Sequence, residues 1–171
     1  MSEKVYRGRL VDVELRDGKE VVVHGPAVAV VAVDGDDRVV LVRQERPGAG
    51  GKLVEIPAGN VDEGEAPLAS AQRELREETG LHGGQWTELA RFYTSPGFCD
   101  ERMHLFAARD VMEGEAEPDA SEELEVLRVP LSEVPELVAH LEDAKTLTGL
   151  MLLLRTLDGP AEGPPDMVAP P

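Results

Sequence analysis

Residues 59–81, GNVDEGEAPLASAQRELREETGL, concentrate the side chains most capable of chemistry. The second half of this stretch predicts a helix. On a helix, residues four apart share a face and residues three apart nearly do. Glu74 and Glu78 therefore stack one turn apart, with Glu77 beside them. Carboxylates so close repel one another unless a cation sits among them. Hard oxygen donors of this kind suit Mg²⁺, with Mn²⁺ as a substitute. The competing reading is a solvated face: glutamate is a good helix former, and Arg73 with Glu77 makes an i,i+4 pair that supports a helix by itself. The two readings separate on the whole string. Gly59, five residues, Glu65, seven residues, Arg-Glu-Leu, one residue, Glu-Glu, one residue and Gly-Leu is a set of spacings that a charge run does not require.

Composition narrows the partners. The chain has 171 residues and a formal net charge of −17. So acidic a surface repels nucleic-acid backbones and anionic membranes, and neither is expected to bind. A free anionic substrate is repelled too, so a phosphate ligand requires a cation between itself and the protein. With aromatic residues at only 4%, each ring is a candidate for stacking. Cys99 is the only cysteine, which excludes an internal disulfide and fits a reducing cytoplasm. The opening MSEKVYRGRL has no apolar signal-like run, and no segment approaches the length of a membrane span. The expectation is a cytoplasmic protein with one main domain.

Strands and helices mix without a regular βαβ alternation, which predicts an α+β fold. Residues 5–15 read as an N-terminal strand, Arg16-Asp17-Gly18-Lys19 as a turn, and residues 20–24 as a second strand. Residues 27–33 are continuously apolar, as expected of a strand covered on both faces. Residues 39–44 pair back, 47–52 form a loop, and 53–56 form a short strand entering the glycine turn. The glutamate helix spans 67–79, with Leu68, Ala69, Ala71 and Leu75 on its apolar face and Gly80 as its stop. Residues 86–93 and 103–109 read as strands around a loop at 95–101. An acidic loop at 112–123, a strand at 124–129, a helix capped by Ser132 and running to about Leu141, and an apolar helix at 145–157 follow. Residues 158–171 are rich in proline and glycine and read as a disordered tail.

The string at 59–81 matches every position of the Nudix box, and the chain resembles the Nudix hydrolase family on that ground. The resemblance implies a Nudix-type α/β/α sandwich, a mixed sheet between helices, at residues 25–157, preceded by N-terminal strands at 1–24. It implies metal-dependent hydrolysis of a nucleoside diphosphate linked to another moiety. Glu74 and Glu78 become direct metal ligands, Glu77 binds directly or through water, and the backbone carbonyl of Ala58 completes the inner shell. Glu65 and Arg73 tie the loop to the helix.

Other segments resemble the ADP-ribose pyrophosphatase group: Ser95-Pro96-Gly97 with Glu101, Val42-Arg43-Gln44-Glu45-Arg46-Pro47, and Asp143-Ala144-Lys145-Thr146. They imply ADP-ribose as substrate, cleaved to AMP and ribose 5-phosphate, with Arg46 on the phosphates, Glu101 positioning the ligand and Ser95 assisting. In that group the general base is a glutamate on an acidic loop. The stretch from Asp119 to Val126 aligns Glu122 with it and holds Glu123 in reserve. Several members are homodimers that exchange N-terminal strands. Tyr6, Arg7, Leu10, Lys19 and Glu20 are the candidates here to reach the partner's adenine. His24 and His104 lack partners at metal spacing and are read as structural. The alternatives are a Nudix hydrolase for a sugar nucleotide, NADH or an oxidised nucleotide, and a Nudix-fold sensor that binds without cleaving.

Overall fold

In the computed structural model, which describes residues 2–114 and 124–157, the strands in chain order are β1 (Ser2–Arg7), β2 (Asp12–Arg16), β3 (Lys19–Val23), β4 (Pro26–Asp34), β5 (Arg38–Arg46), β6 (Gly51–Glu55), β7 (Ala58–Asn60), β8 (Leu81–His82), β9 (Gln85–Tyr93), β10 (Arg102–Glu113) and β11 (Glu125–Pro130). The helices are α1 (Pro67–Thr79), α2 (Val134–Val138) and α3 (Ala144–Leu157). The tail at 158–171 and the base candidates Glu122 and Glu123 lie outside the described residues.

The apolar run at 27–33 governs the architecture. It forms the middle of β4, parallel to β10 along one edge. Every residue from Ala27 to Val33 is buried. Alternate side chains serve two cores. Ala27, Ala29, Val31 and Val33 pack with Leu150 and Leu153 of α3, while Val28, Val30 and Ala32 pack with Ala71 and Leu75 of α1. A strand covered by helices on both faces has no polar face to alternate with, which is why its sequence is unbroken hydrophobe. The mixed sheet between α1 and the α2–α3 layer is the expected sandwich.

Helix α1 spans the predicted residues, begun by Pro67, which needs no N–H partner, and ended at Gly80. Its buried stripe is Ser70, Ala71, Leu75, Glu78 and Thr79. Leu68 and Ala69, expected on the apolar face, are exposed: Ala69 is turned away from the Ala71–Leu75 stripe, and Leu68 lies in the first turn, ahead of the first buried residue, Ser70. Among the described residues no helix is long and apolar enough to cross a membrane.

Several expectations are corrected. Residues 5–15 do not form one strand. The chain doubles back at Gly8, whose N–H donates to the Val11 carbonyl at 3.0 Å, so β1 and β2 pair antiparallel. A Cβ on Gly8 would stand 2.5 Å from that carbonyl oxygen, so glycine permits the turn. Strand β7 is an addition, and β10 continues to Glu113 through part of the expected acidic loop. Ser132 makes no side-chain cap; it lies in a 3₁₀ turn, Leu131–Glu133, and α2 stops at Val138. Past Val138 the bonding tightens, the His140 N–H donating to the Leu137 carbonyl three residues back at 2.9 Å, and Asp143 caps the next helix, its carboxylate accepting from the Thr146 N–H at 2.9 Å.

The three N-terminal strands form their own sheet, order β1-β2-β3. It is strapped to the loop after β9. The Val22 N–H donates to the Phe98 carbonyl at 2.7 Å, and the Asp100 N–H donates to the Val22 carbonyl at 3.1 Å. Asp100 in turn accepts from Arg16 at 2.8 Å and from the His24 N–H at 2.8 Å.

Candidate active site

Strand β5 pairs with β4 only beside their turn, at Ala32↔Val40 and Val33↔Val39. Beyond that point β5 takes β6 as its partner and β4 takes β7. The strands part there, and a cleft of about 880 Å³ opens between β5, the β7–α1 turn, the loop after β9 and the start of α3.

Glu74, Glu77 and Glu78 all line this cleft, with Ala58 and Gly59 beside them. Arg73 organises the first two. Its Nη1 donates to Glu74 at 2.7 Å and to Glu77 at 2.9 Å, while Nη2 donates to Glu65 and to the Asn60 carbonyl, both at 3.1 Å. Glu65 also accepts from Ser70 at 2.6 Å, so loop and helix are tied as expected. Burial disfavours the Arg73 charge, but these carboxylates outweigh it and push its pKa further up. Glu78 is buried and accepts from the Ala58 N–H at 3.0 Å.

Among the described residues the acidic side chains are not already drawn into a three-ligand cluster. The fit to a hard divalent cation rests on donor chemistry and space. Three carboxylates on neighbouring turns, against the one guanidinium that bridges two of them, leave local negative charge that a cation offsets. The backbone at Gly59 approaches the Glu74 carboxylate so closely that a Cβ there would overlap it. Glu74, Glu77, Glu78 and the Ala58 carbonyl are the groups that could hold the ion.

Arg46 and Lys145 bring two cations to the cleft, each paired with a carboxylate. Arg46 lines the cleft and grips Glu55 through Nε and Nη2, each at 2.7 Å. Lys145 reaches the same carboxylate at 2.5 Å and Asp143 at 3.0 Å. Glu55 is only 1% exposed. Burial works against its charge, but the hydrogen bonds and charges of Arg46 and Lys145 prevail and hold its pKa below the usual carboxylate range. The hydrogen bond to Glu55 likewise raises the pKa of Arg46. Thr146 closes the node by donating to Asp143 at 2.6 Å and accepting from the Ile56 N–H at 2.8 Å.

The remaining candidates divide. Ser95 and Glu101 line the cleft, and Glu101 accepts from Thr94 at 2.5 Å. Leu10 lines it from the N-terminal turn of the same chain, 84% exposed, whereas Lys19, exposed at the start of β3, does not. His24 also lines the cleft, its Nδ1 3.5 Å from Glu101. His104 instead pairs with Glu88 at 3.2 Å, outside the cleft lining. Glu55, Asn60 and Thr94 occupy no fixed position of a sequence motif, and Gln44, Asp143 and Lys145 stand out in the sequence only as parts of motifs. The sole early signal for Glu55 was a charged residue inside an otherwise apolar strand.

A NUDIX domain model matches residues 23–150 of this chain. An ADP-ribose pyrophosphatase from Bacillus subtilis (strain 168) is 41% identical over 165 residues, covering 89% of each chain. A methanol dehydrogenase activator from Bacillus methanolicus is 37% identical over 165 residues, again with 89% of each covered. A solved structure described as an ADP compounds hydrolase superposes with a TM-score of 0.78 at 27% identity, covering 92% of each chain.

Proposed function

Because the chain belongs to the NUDIX domain family, we propose that this Nudix diphosphatase hydrolyses ADP-ribose to AMP and ribose 5-phosphate, with Mg²⁺ as its working cation. One observation carries the reading: the acidic turns of α1 and the Arg46 guanidinium line the same cleft, one suited to a cation and the other to a phosphate. The name of the 41% identical relative supports the substrate.

Glu74, Glu77, Glu78 and the Ala58 carbonyl are the groups that would hold the ion. When bound, a divalent ion neutralises phosphate charge and lowers the pKa of a coordinated water. The chain supplies the rest. Arg73 holds Glu74 and Glu77 in position through its two short hydrogen bonds. Arg46, braced by Glu55, presents its outer edge to the diphosphate. Glu101, steadied by Thr94, and Ser95 position the ligand from the loop after β9. Glu122, with Glu123 in reserve, accepts the proton of the attacking water. Leu124, the residue that follows them in the sequence, lines the cleft, which supports the assignment.

A substrate panel with Mg²⁺ tests this. ADP-ribose is expected to exceed ADP-glucose, GDP-mannose, NADH and 8-oxo-dGTP by at least about tenfold in kcat/KM, a difference of about 1.4 kcal/mol. Preference for another member of the panel would overturn the substrate, and binding without turnover would make the protein a sensor.

The exposed length of β1 supports a homodimer that exchanges this sheet, because Val5 and Tyr6 stand 50% and 59% exposed there. Light scattering is expected to give twice the 18.5 kDa chain mass, and a single-chain mass would refute the dimer.

A further inference from the structure

We propose that Gln44 is a substrate-binding residue, its side-chain amide donating to a phosphoryl oxygen of the ligand beside Arg46. The inference rests on the diphosphate reading of the cleft and extends it to a residue outside the acidic helix.

Gln44 lies two residues before Arg46 on β5, so both side chains project from one face of that strand. It lines the cleft yet is only 9% exposed. Its Nε2 is buried without a hydrogen-bond partner. Among the described residues, the other side-chain polar atom in that condition is Arg73 Nε, and Arg73 lines the same cleft. Native interiors keep few such orphans because an unpaired buried donor is destabilising. Two such atoms, both on side chains that line one cleft, are what a site looks like when the ligand supplies a missing acceptor.

The neighbours decide the chemistry of that acceptor. Arg46 commits Nε and Nη2 to Glu55, which leaves its other edge for the ligand. Lys145 stands on the same buried carboxylate. An acceptor beside these cations is favoured when it carries negative charge and several lone pairs, as a phosphoryl oxygen does. The terminal torsion of a glutamine is broad, so a small turn aims its N–H at that oxygen. A neutral donor here also adds a bond without another charge to bury.

The test compares wild type with Gln44→Met, which keeps the length and removes the donor. For the substrate the wild type turns over best, KM is expected to rise about 10- to 100-fold, with kcat falling less. The thermal midpoint of the ligand-free variant is expected to hold or rise, because an unpaired buried amide has gone. Gln44→Glu, of the same shape without the donor, is expected to raise KM further. Calorimetric titration with AMP and with ribose 5-phosphate assigns the contact, since weakening of one or the other marks the phosphate that Gln44 meets. An unchanged KM with a lowered midpoint in the Met variant would show a purely structural amide and overturn the proposal. So would wild-type affinity of that variant for both products. Should the wild type prefer GDP-mannose, the ADP-ribose reading falls, and KM on that substrate still decides the role of Gln44.

Discussion

A Glu78→Gln protein is expected to fold as the wild type does and to lose about a thousandfold in kcat. The substitution keeps an oxygen that can accept from the Ala58 N–H, the 3.0 Å bond that anchors this side chain to the β7 turn. What disappears is the charge. Holding a divalent ion against a developing phosphate charge is worth several kcal/mol, and about 4 kcal/mol corresponds to about a thousandfold in rate. Turnover of ADP-ribose with saturating Mg²⁺ reads the effect, and a thermal melt checks that the fold survives. Wild-type turnover and cation affinity in this variant would remove Glu78 from the site. The mutation separates the two early readings of α1, because a solvated glutamate would be silent and this one is 8% exposed.

The second large effect is on stability. Glu55→Leu is expected to cost about 3 kcal/mol of folding free energy, because it leaves Arg46 and Lys145 without the carboxylate they share. Losses on removing one partner of a buried pair run somewhat higher. Here Arg46 is 41% exposed and Lys145 retains Asp143, which places the cost at the lower end. For a chain of this length that corresponds to a fall of about 6–12 °C in Tm, readable by calorimetry or denaturant titration. A loss below about 0.5 kcal/mol would mean that the node contributes no more than an ordinary surface position.

The same carboxylate predicts a pH dependence. Its folded pKa lies below its ordinary value of 4.5, so its contribution is fully present above that value and is lost as the pH falls through the folded one. Glu55→Gln keeps the shape but cannot titrate. The stability gap between wild type and Glu55→Gln is therefore expected to be flat at neutral pH and to shrink below pH 4.5. A gap that stayed constant through the acid range would show that Glu55 carries no depressed pKa.

Local pattern made much of this protein readable in advance. Helix α1 was legible to the residue because Pro67 starts it, Gly80 stops it and a helical stripe lies between them. Strand β4 was legible because burial on two faces writes itself as an unbroken apolar run. The N-terminal strand was misread because alternation continues through Gly8, and a turn made by one glycine leaves little trace in a period-two pattern. Strand β7 was invisible for a different reason. Its residues, Ala58–Asn60, have no strand character of their own, and only the parting of β4 and β5 gives them an edge to pair with.

The chain by itself determined that three carboxylates share neighbouring turns of one helix and that such a group calls for a hard cation, because spacing along a helix is a local property. What faces those carboxylates was decided only in three dimensions. Lys145 meets Glu55 across 90 positions of sequence, and the Gln44 side chain reaches the cleft with its Nε2 buried and without a hydrogen-bond partner. Neither relation has a period or a local motif. Both exist only once two buried cores have brought distant segments together around one cleft.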